Sequence, residues 1–109
     1  MNFNDYQQEA QKTAIYPNKG NNYSYPVIGL TGEAGEVAEK IKKVVRDHGG
    51  IMTPEAKESV MLELGDVLWY VSALATEIGV TLEEVAMANI DKLTSRYNRD
   101  RIHGDGDDR

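Results

Sequence analysis

Gly32-Glu33-Ala34-Gly35-Glu36-Val37 opens, and Glu63-Leu64-Gly65-Asp66-Val67-Leu68-Trp69-Tyr70 closes, the stretch that decides how this chain folds. Each end carries an acid-x-x-acid word inside a helical hydrophobic pattern. Three residues along a helix is a rotation of about −60°, so both acids of a word project from one face. Apolar residues step by three and four along each segment. They are Val27, Leu30, Ala34, Val37, Ile41 and Val44 in the first, and Val60, Leu64, Val67, Val71, Leu74 and Ile78 in the second. Such stripes are the seams of packed helices. Glu33, Glu36, Glu63 and Asp66 each precede a seam residue by one position, on the same rotational edge of their stripe. A short connection near Ile51 makes the two helices antiparallel neighbours, which brings like edges together. The words lie at similar depth from that turn, offset by roughly 3 residues, or about 4–5 Å of rise. Four carboxylates are therefore expected to converge.

Convergence is costly without a cation. Two carboxylates about 4 Å apart repel by roughly 4 kcal/mol at an effective dielectric of 20, and protonation or a metal must relieve this. Oxygen-only ligation, with no His or Cys in either word, suits a hard ion, Mg²⁺ or Mn²⁺, rather than Zn²⁺. One such word alone is ordinary solvated helix surface. Two on matched edges at matched depth read as a site.

The chain has 109 residues and a formal net charge of −6, enough for one domain and too acidic for a nucleic-acid-binding face. There is no cysteine, hence no disulfide framework and no thiol chemistry. The start, Met1-Asn2-Phe3-Asn4-Asp5, has no basic region followed by an apolar run, so no signal peptide is expected. No apolar run approaches a membrane span, and a cytoplasmic location is the expectation.

The remaining segments also read as helical. Asn2 or Asn4 caps a first helix carrying Phe3, Tyr6, Ala10 and Ala14 on one side, with Pro17 expected to stop it. Tyr16 to Pro26 is a long loop rich in Asn, Gly and Tyr, and its Tyr16, Tyr23 and Tyr25 are expected to pack it onto the bundle rather than to touch a ligand. The second helix runs from about Tyr25 or Val27 to Asp47, with His48 as a cap residue. Its Gly32 and Gly35 cost about 1 kcal/mol each relative to Ala, which points to close approach by a neighbouring helix or ligand. Thr53-Pro54 opens a third helix that Gly79 ends. Tyr70 shares the acidic edge, whereas Trp69 points away from it, toward another helix or another subunit. Thr81-Leu82-Glu83-Glu84 reads as a capping box for a fourth helix with the stripe Ala86, Ile90, Leu93 and Tyr97. Asn89, Lys92 and Arg96 each precede a stripe residue; set across a cleft from the acids, this cationic edge would hold phosphate oxygens. No strand alternation appears. The expectation is an all-α four-helix bundle with a central antiparallel hairpin, a domain over 1–103 and a mobile acidic tail over 104–109.

These words resemble the MazG family of all-α nucleoside triphosphate pyrophosphohydrolases, whose motif is E-x-x-E, a spacer, then E-x-x-D. The resemblance rests on Gly29-Leu30-Thr31-Gly32-Glu33-Ala34-Gly35-Glu36-Val37, on Glu63 to Tyr70, and on Asn89-Ile90-Asp91-Lys92-Leu93-x-x-Arg96-Tyr97. It implies that Glu33, Glu36, Glu63 and Asp66 bind Mg²⁺, which grips a triphosphate and activates a water for attack on the α-phosphorus. The products would be a nucleoside monophosphate and pyrophosphate. Lys92 and Arg96, with Asn89 beside them, are implied as phosphate contacts, and Tyr70 as a neighbour of the sugar. Related dCTP-hydrolysing enzymes hold the base with tryptophans, a preference not carried over to the outward Trp69. Where many members have a further Glu before the first word, this chain has Gly32. Single-domain members assemble as dimers or tetramers, so a homodimer or homotetramer is expected. The short chain and its Gly104–Arg109 ending look similar to phage-encoded members. Two readings from other classes stand beside this one. One is a non-catalytic nucleotide- or metal-binding bundle acting through protein partners, the other a structural helical oligomer with solvated acids.

Overall fold

Each helix starts on a local device. Asn2 accepts a hydrogen bond from the Asp5 amide at 2.8 Å and opens α1, Phe3–Gln11. Asn22 accepts from the Tyr25 amide at 3.1 Å ahead of α2, Ser24–His48, whose first turn holds the buried Pro26. Thr53 accepts from the Ala56 amide at 3.1 Å at the start of α3, Pro54–Glu77. Thr81 accepts from the Glu84 amide at 3.0 Å at the start of α4, Leu82–Asn98. Each bond satisfies a donor that the helix leaves unpaired. The computed structural model describes residues 1–109, all-helical with no strand. None of its helices is long and apolar enough to cross a membrane.

The helix ends follow the same logic. Gly49, at φ 58°, ends α2 in the left-handed conformation that only glycine adopts cheaply. α1 ends well before Pro17. Its last turn tightens through i→i+3 bonds from Lys12, Thr13 and Ala14, and the Thr13 hydroxyl donates to the Ala10 carbonyl at 3.0 Å. A local side-chain competitor stops this helix, not the proline ring.

α2 and α3 form the antiparallel hairpin on which the other two helices lean. The covered positions of α2 recur at Pro26, Leu30, Glu33, Val37, Lys40 and Val44, while Val27, Ala34 and Ile41 stay exposed. On α3, Val60, Val67, Val71 and Leu74 are covered, with Leu64 and Ile78 exposed. The apolar stripe is wider than one partner helix covers. The contact face is therefore rotated, and it takes Glu33 and Glu63 into the interface instead of leaving them on its edge.

α4 packs on α1 and α3 but makes no contact with α2. Its N-terminal end is fixed to α1: the Leu82 amide donates to Gln7 Oε1 at 2.7 Å, and Asn4 Nδ2 donates to Glu83 Oε2 at 3.0 Å. Beyond that end the expected stripe is uncovered; Ile90, Leu93 and Tyr97 are exposed, Tyr97 by 76%. Only nine of the 109 residues are buried, and the radius of gyration is 16.7 Å, against about 13 Å for a compact domain of this size. The single chain is thus an open arrangement with much apolar surface facing water.

The Tyr16–Pro26 loop is tied down by one carboxylate. Glu77 accepts from the Tyr16 hydroxyl at 2.5 Å, from the Gly20 amide at 2.8 Å and from the Asn22 amide at 3.1 Å. Tyr16 stacks on Tyr25 with centroids 4.8 Å apart. Tyr16 of the loop thus packs against Tyr25 in the first turn of α2, while Tyr23 is exposed. The Tyr16 bond, then the two amides, hold the Glu77 carboxyl below its ordinary range. Burial, and then Glu77, push the Tyr16 phenol up to about 12. A lowered carboxylate contributes stability above its unfolded value and loses it as pH falls through the folded one. The Gly20 and Asn22 amide resonances should therefore shift toward random-coil positions only below the ordinary carboxylate range. In Glu77→Gln they should sit there at neutral pH, which an NMR pH titration checks.

Candidate functional site

The antiparallel register sets Glu33 of α2 against two acids of α3. Glu33, Glu63 and Asp66 offer carboxylate oxygens that lie within 4.8 Å of one another. Glu33 and Glu63 are half-buried and Asp66 is exposed. Burial raises the Glu33 carboxyl above its ordinary value, and the charges of Asp66 and Glu63, a hydrogen bond with Glu63 and the charge of Glu36 add to this. Glu36, one turn along, is exposed and lies outside the trio, although its charge is felt there.

The donor set decides what fits. It is oxygen only and triply anionic, with no histidine joining it. Its self-repulsion, visible in the raised Glu33, is what a hard divalent cation relieves. The trio therefore suits Mg²⁺ or Mn²⁺ better than Zn²⁺.

Aromatic residues wall the acids. An open cavity of about 430 Å³ is lined by Thr13, Glu33, Asp66, Trp69 and Tyr70. Tyr70 is half-buried, and its phenol is raised by burial first, then by Tyr25, Glu33 and Asp66. Tyr6 of α1 is close enough to Asp66 for that charge to raise its phenol, after burial. Both phenols thus stay protonated donors at neutral pH. Trp69 does not point away from the site. It meets Tyr70 edge-on at 5.0 Å, and its indole N–H donates to Thr13 Oγ1 at 2.9 Å. The helical wheel sent it outward because the wheel ignores where α1 packs. Thr13 and Trp69 are additions that no periodicity announces, though the aromatic pair Trp69-Tyr70 stands beside Asp66 in the sequence.

Glycine explains how Tyr70 sits. A Cβ on Gly29 would lie less than 3.0 Å from three atoms of the Tyr70 ring, whereas Gly32 and Gly35 would meet nothing. The close approach expected at Gly32 and Gly35 occurs one turn earlier, at Gly29.

The cationic edge of α4 is placed elsewhere. Lys92 and Arg96 are not among the residues lining the acid cavity, and α4 has no close contact with α2. Asn89 is exposed. Lys92 Nζ and Arg96 Nη2 instead approach Asp107 Oδ1, at 3.5 and 3.6 Å.

The MazG nucleotide pyrophosphohydrolase domain, as a family profile, matches residues 26–99, which covers nearly all of α2 and the whole of α3 and α4. The chain belongs to the MazG family. It is 46% identical over 114 residues to the Gene 37 protein of Mycobacterium phage L5, with all of both chains covered. It is 36% identical over 73 residues to the protein YvdC of Bacillus subtilis (strain 168), covering 62% of this chain and 69% of that one. No solved structure matches the chain. The matched MazG segment contains both acidic words and excludes α1, so Thr13 reaches the cavity from outside it.

Two outcomes follow from this packing. Gly29→Ala should destabilise the protein by about 1–3 kcal/mol in urea melts, because overpacking against Tyr70 outweighs the helix propensity that alanine adds. Glu33→Gln should do the reverse. A raised carboxyl makes the folded state favour its neutral form, so ionised Glu33 costs stability as pH rises through the raised value. Calorimetry without divalent ions should show a higher melting temperature for Glu33→Gln than for wild type at neutral pH. The difference should shrink as pH falls into the carboxylate range; a lower melting temperature at neutral pH would contradict the assignment.

Proposed function

We propose that this MazG protein hydrolyses a nucleoside or deoxynucleoside triphosphate to the monophosphate and pyrophosphate in a Mg²⁺-dependent reaction. The observation that carries the reading is the convergence of Glu33, Glu63 and Asp66 from facing helices within 4.8 Å, in a chain of a nucleotide pyrophosphohydrolase family. Phosphoryl chemistry asks a protein for positioning and charge neutralisation rather than covalent help. When bound, Mg²⁺ supplies charge neutralisation of the triphosphate and polarisation of the attacking water. Glu33, Glu63 and Asp66 would hold it, with Glu36 adding negative charge from the solvent side. Tyr70, a protonated donor against Gly29, is suited to the sugar. Trp69, fixed by Thr13, supplies an aromatic edge to the same cavity.

A homo-oligomer is part of the proposal. The uncovered seam residues Val27, Ile41 and Leu64 and the α4 residues Ile90, Leu93 and Tyr97 are apolar surface that a second copy would bury. Lys92 and Arg96, with Asn89, would contact the phosphate oxygens of the triphosphate. A cytoplasmic setting, where nucleotides are, accords with this activity.

Incubating the protein with each nucleoside and deoxynucleoside triphosphate and Mg²⁺ should release pyrophosphate from at least one of them; silence from a folded protein across the whole panel would end the reading. Glu63→Gln and Asp66→Asn should each lower turnover by about 100-fold or more while leaving helical circular dichroism intact.

A further inference from the structure

The segment after α4 closes back on that helix. Arg96 is only 4% exposed, which is unusual for an arginine whose partners are backbone carbonyls and one loose carboxylate. Its Nη2 donates to the Asp107 carbonyl at 2.8 Å and to the Gly106 carbonyl at 3.4 Å. Its Nε is buried with no partner at all. Asp107 Oδ1 lies between Arg96 and Lys92, at 3.6 and 3.5 Å, on a residue whose side chain is 88% exposed.

Arg109 fastens this cover. Its guanidinium donates to the carbonyls of Arg101 at 3.2 Å, Ile102 at 2.9 Å and Gly106 at 2.5 Å. Arg99 in turn donates to the Arg109 carbonyl at 2.7 Å. Gly104, at φ 148°, admits the Arg109 side chain, whose Cδ would lie 2.8 Å from a Cβ there. A segment expected from its composition to be mobile thus has specific attachments.

The match between cover and cations is incomplete. A carboxylate that bound Arg96 well would take its two-pronged face. Asp107 offers one oxygen beyond hydrogen-bond distance, and leaves a buried N–H unpaired. The exposed Lys92–Asp107 pair is weak, whereas a phosphate group brings more charge and three oxygens to the same two cations.

We propose that residues 104–109 are a built-in competitor, with the Asp107 carboxylate standing where a phosphate group of the ligand binds Lys92 and Arg96. This rests on the reading of Lys92 and Arg96 as phosphate contacts. The chain would bind the anion at a strength reduced by the fraction of molecules whose cover is closed.

The test uses inorganic pyrophosphate, titrated calorimetrically into the full chain in metal-free buffer, where the acid trio repels the probe. Asp107→Asn should bind it roughly three- to tenfold more tightly than wild type, and Arg109→Ala should move the same way. Asp108→Asn makes the same charge change one residue along and should stay within about twofold of wild type. Lys92→Gln, at a half-exposed position, should weaken binding in the Asp107→Asn background. The proposal is overturned if Asp107→Asn binds no better than wild type or than Asp108→Asn, if neither binds, or if Lys92→Gln has no effect. Because no turnover is measured, the outcome is separable from the hydrolase reading. Competition without pyrophosphate release in the triphosphate panel would remove only the latter, and release without competition only the former.

Discussion

Electrostatic repulsion inside the α2–α3 interface is the constraint around which this molecule is arranged. A hairpin seam normally fills with apolar side chains, and here the covered face takes in Glu33 and Glu63, with Asp66 at its border. Burial alone disfavours an ionised carboxylate, and two neighbouring charges disfavour it further. The raised Glu33 carboxyl records both effects. Natural interfaces keep such an arrangement where a bound cation reverses its sign. The stability given up along this seam and the capacity to hold a divalent ion are then two aspects of one feature.

The rest of the fold compensates through polar attachments rather than a large core. With nine residues buried, a single copy has little apolar burial to set against chain entropy. Gln7 is one of several ties: its amide donates to Thr76 Oγ1 at 2.9 Å and to the Val80 carbonyl at 3.1 Å, and its oxygen accepts from the Leu82 amide. α1 thereby clamps the turn between α3 and α4. Glu77 does the same for the loop before α2. These bonds fix geometry, but each contributes only about 1 kcal/mol net. The exposed stripes on α2, α3 and α4 leave further apolar area in water.

Helix number, the limits of α2 and α3 and the starts of α1 and α4 to within a few residues, the antiparallel hairpin and the meeting of Glu33 with Glu63 and Asp66 were all legible in the sequence. They depend on local caps and on a 3.6-residue period, both carried by neighbouring residues. What was not legible depends on which helix covers which face. The wheel placed Glu33 and Glu63 at an edge because it assumed a seam centred between two apolar rows, and the partner helix covers one row only. Trp69 faces the cavity because α1 and Thr13 lie there. Nor does the wheel show that Lys92 and Arg96 meet Asp107 of the segment after α4. The close approach to a glycine was foreseen, but Gly29 carries it. An aromatic ring resting on backbone leaves no mark in a hydrophobic pattern.

α3 links these parts. Within four turns it presents Glu63 and Asp66 to Glu33, Trp69 to Thr13, Tyr70 to Gly29, Thr76 to the amides of Gln7 and Gln11, and Glu77 to the loop before α2. Each is a polar or aromatic task on a helix whose small buried residues, Ser72, Ala73 and Ala75, let its neighbours come close. A rigid helix holds such groups more accurately than a loop does. The loop is tied to the same helix pair, since Tyr16 bonds Glu77 of α3 and stacks on Tyr25 of α2, one turn before the Gly29 on which Tyr70 rests. The loop and the acid trio therefore share one support, and the position of Tyr70 depends on both.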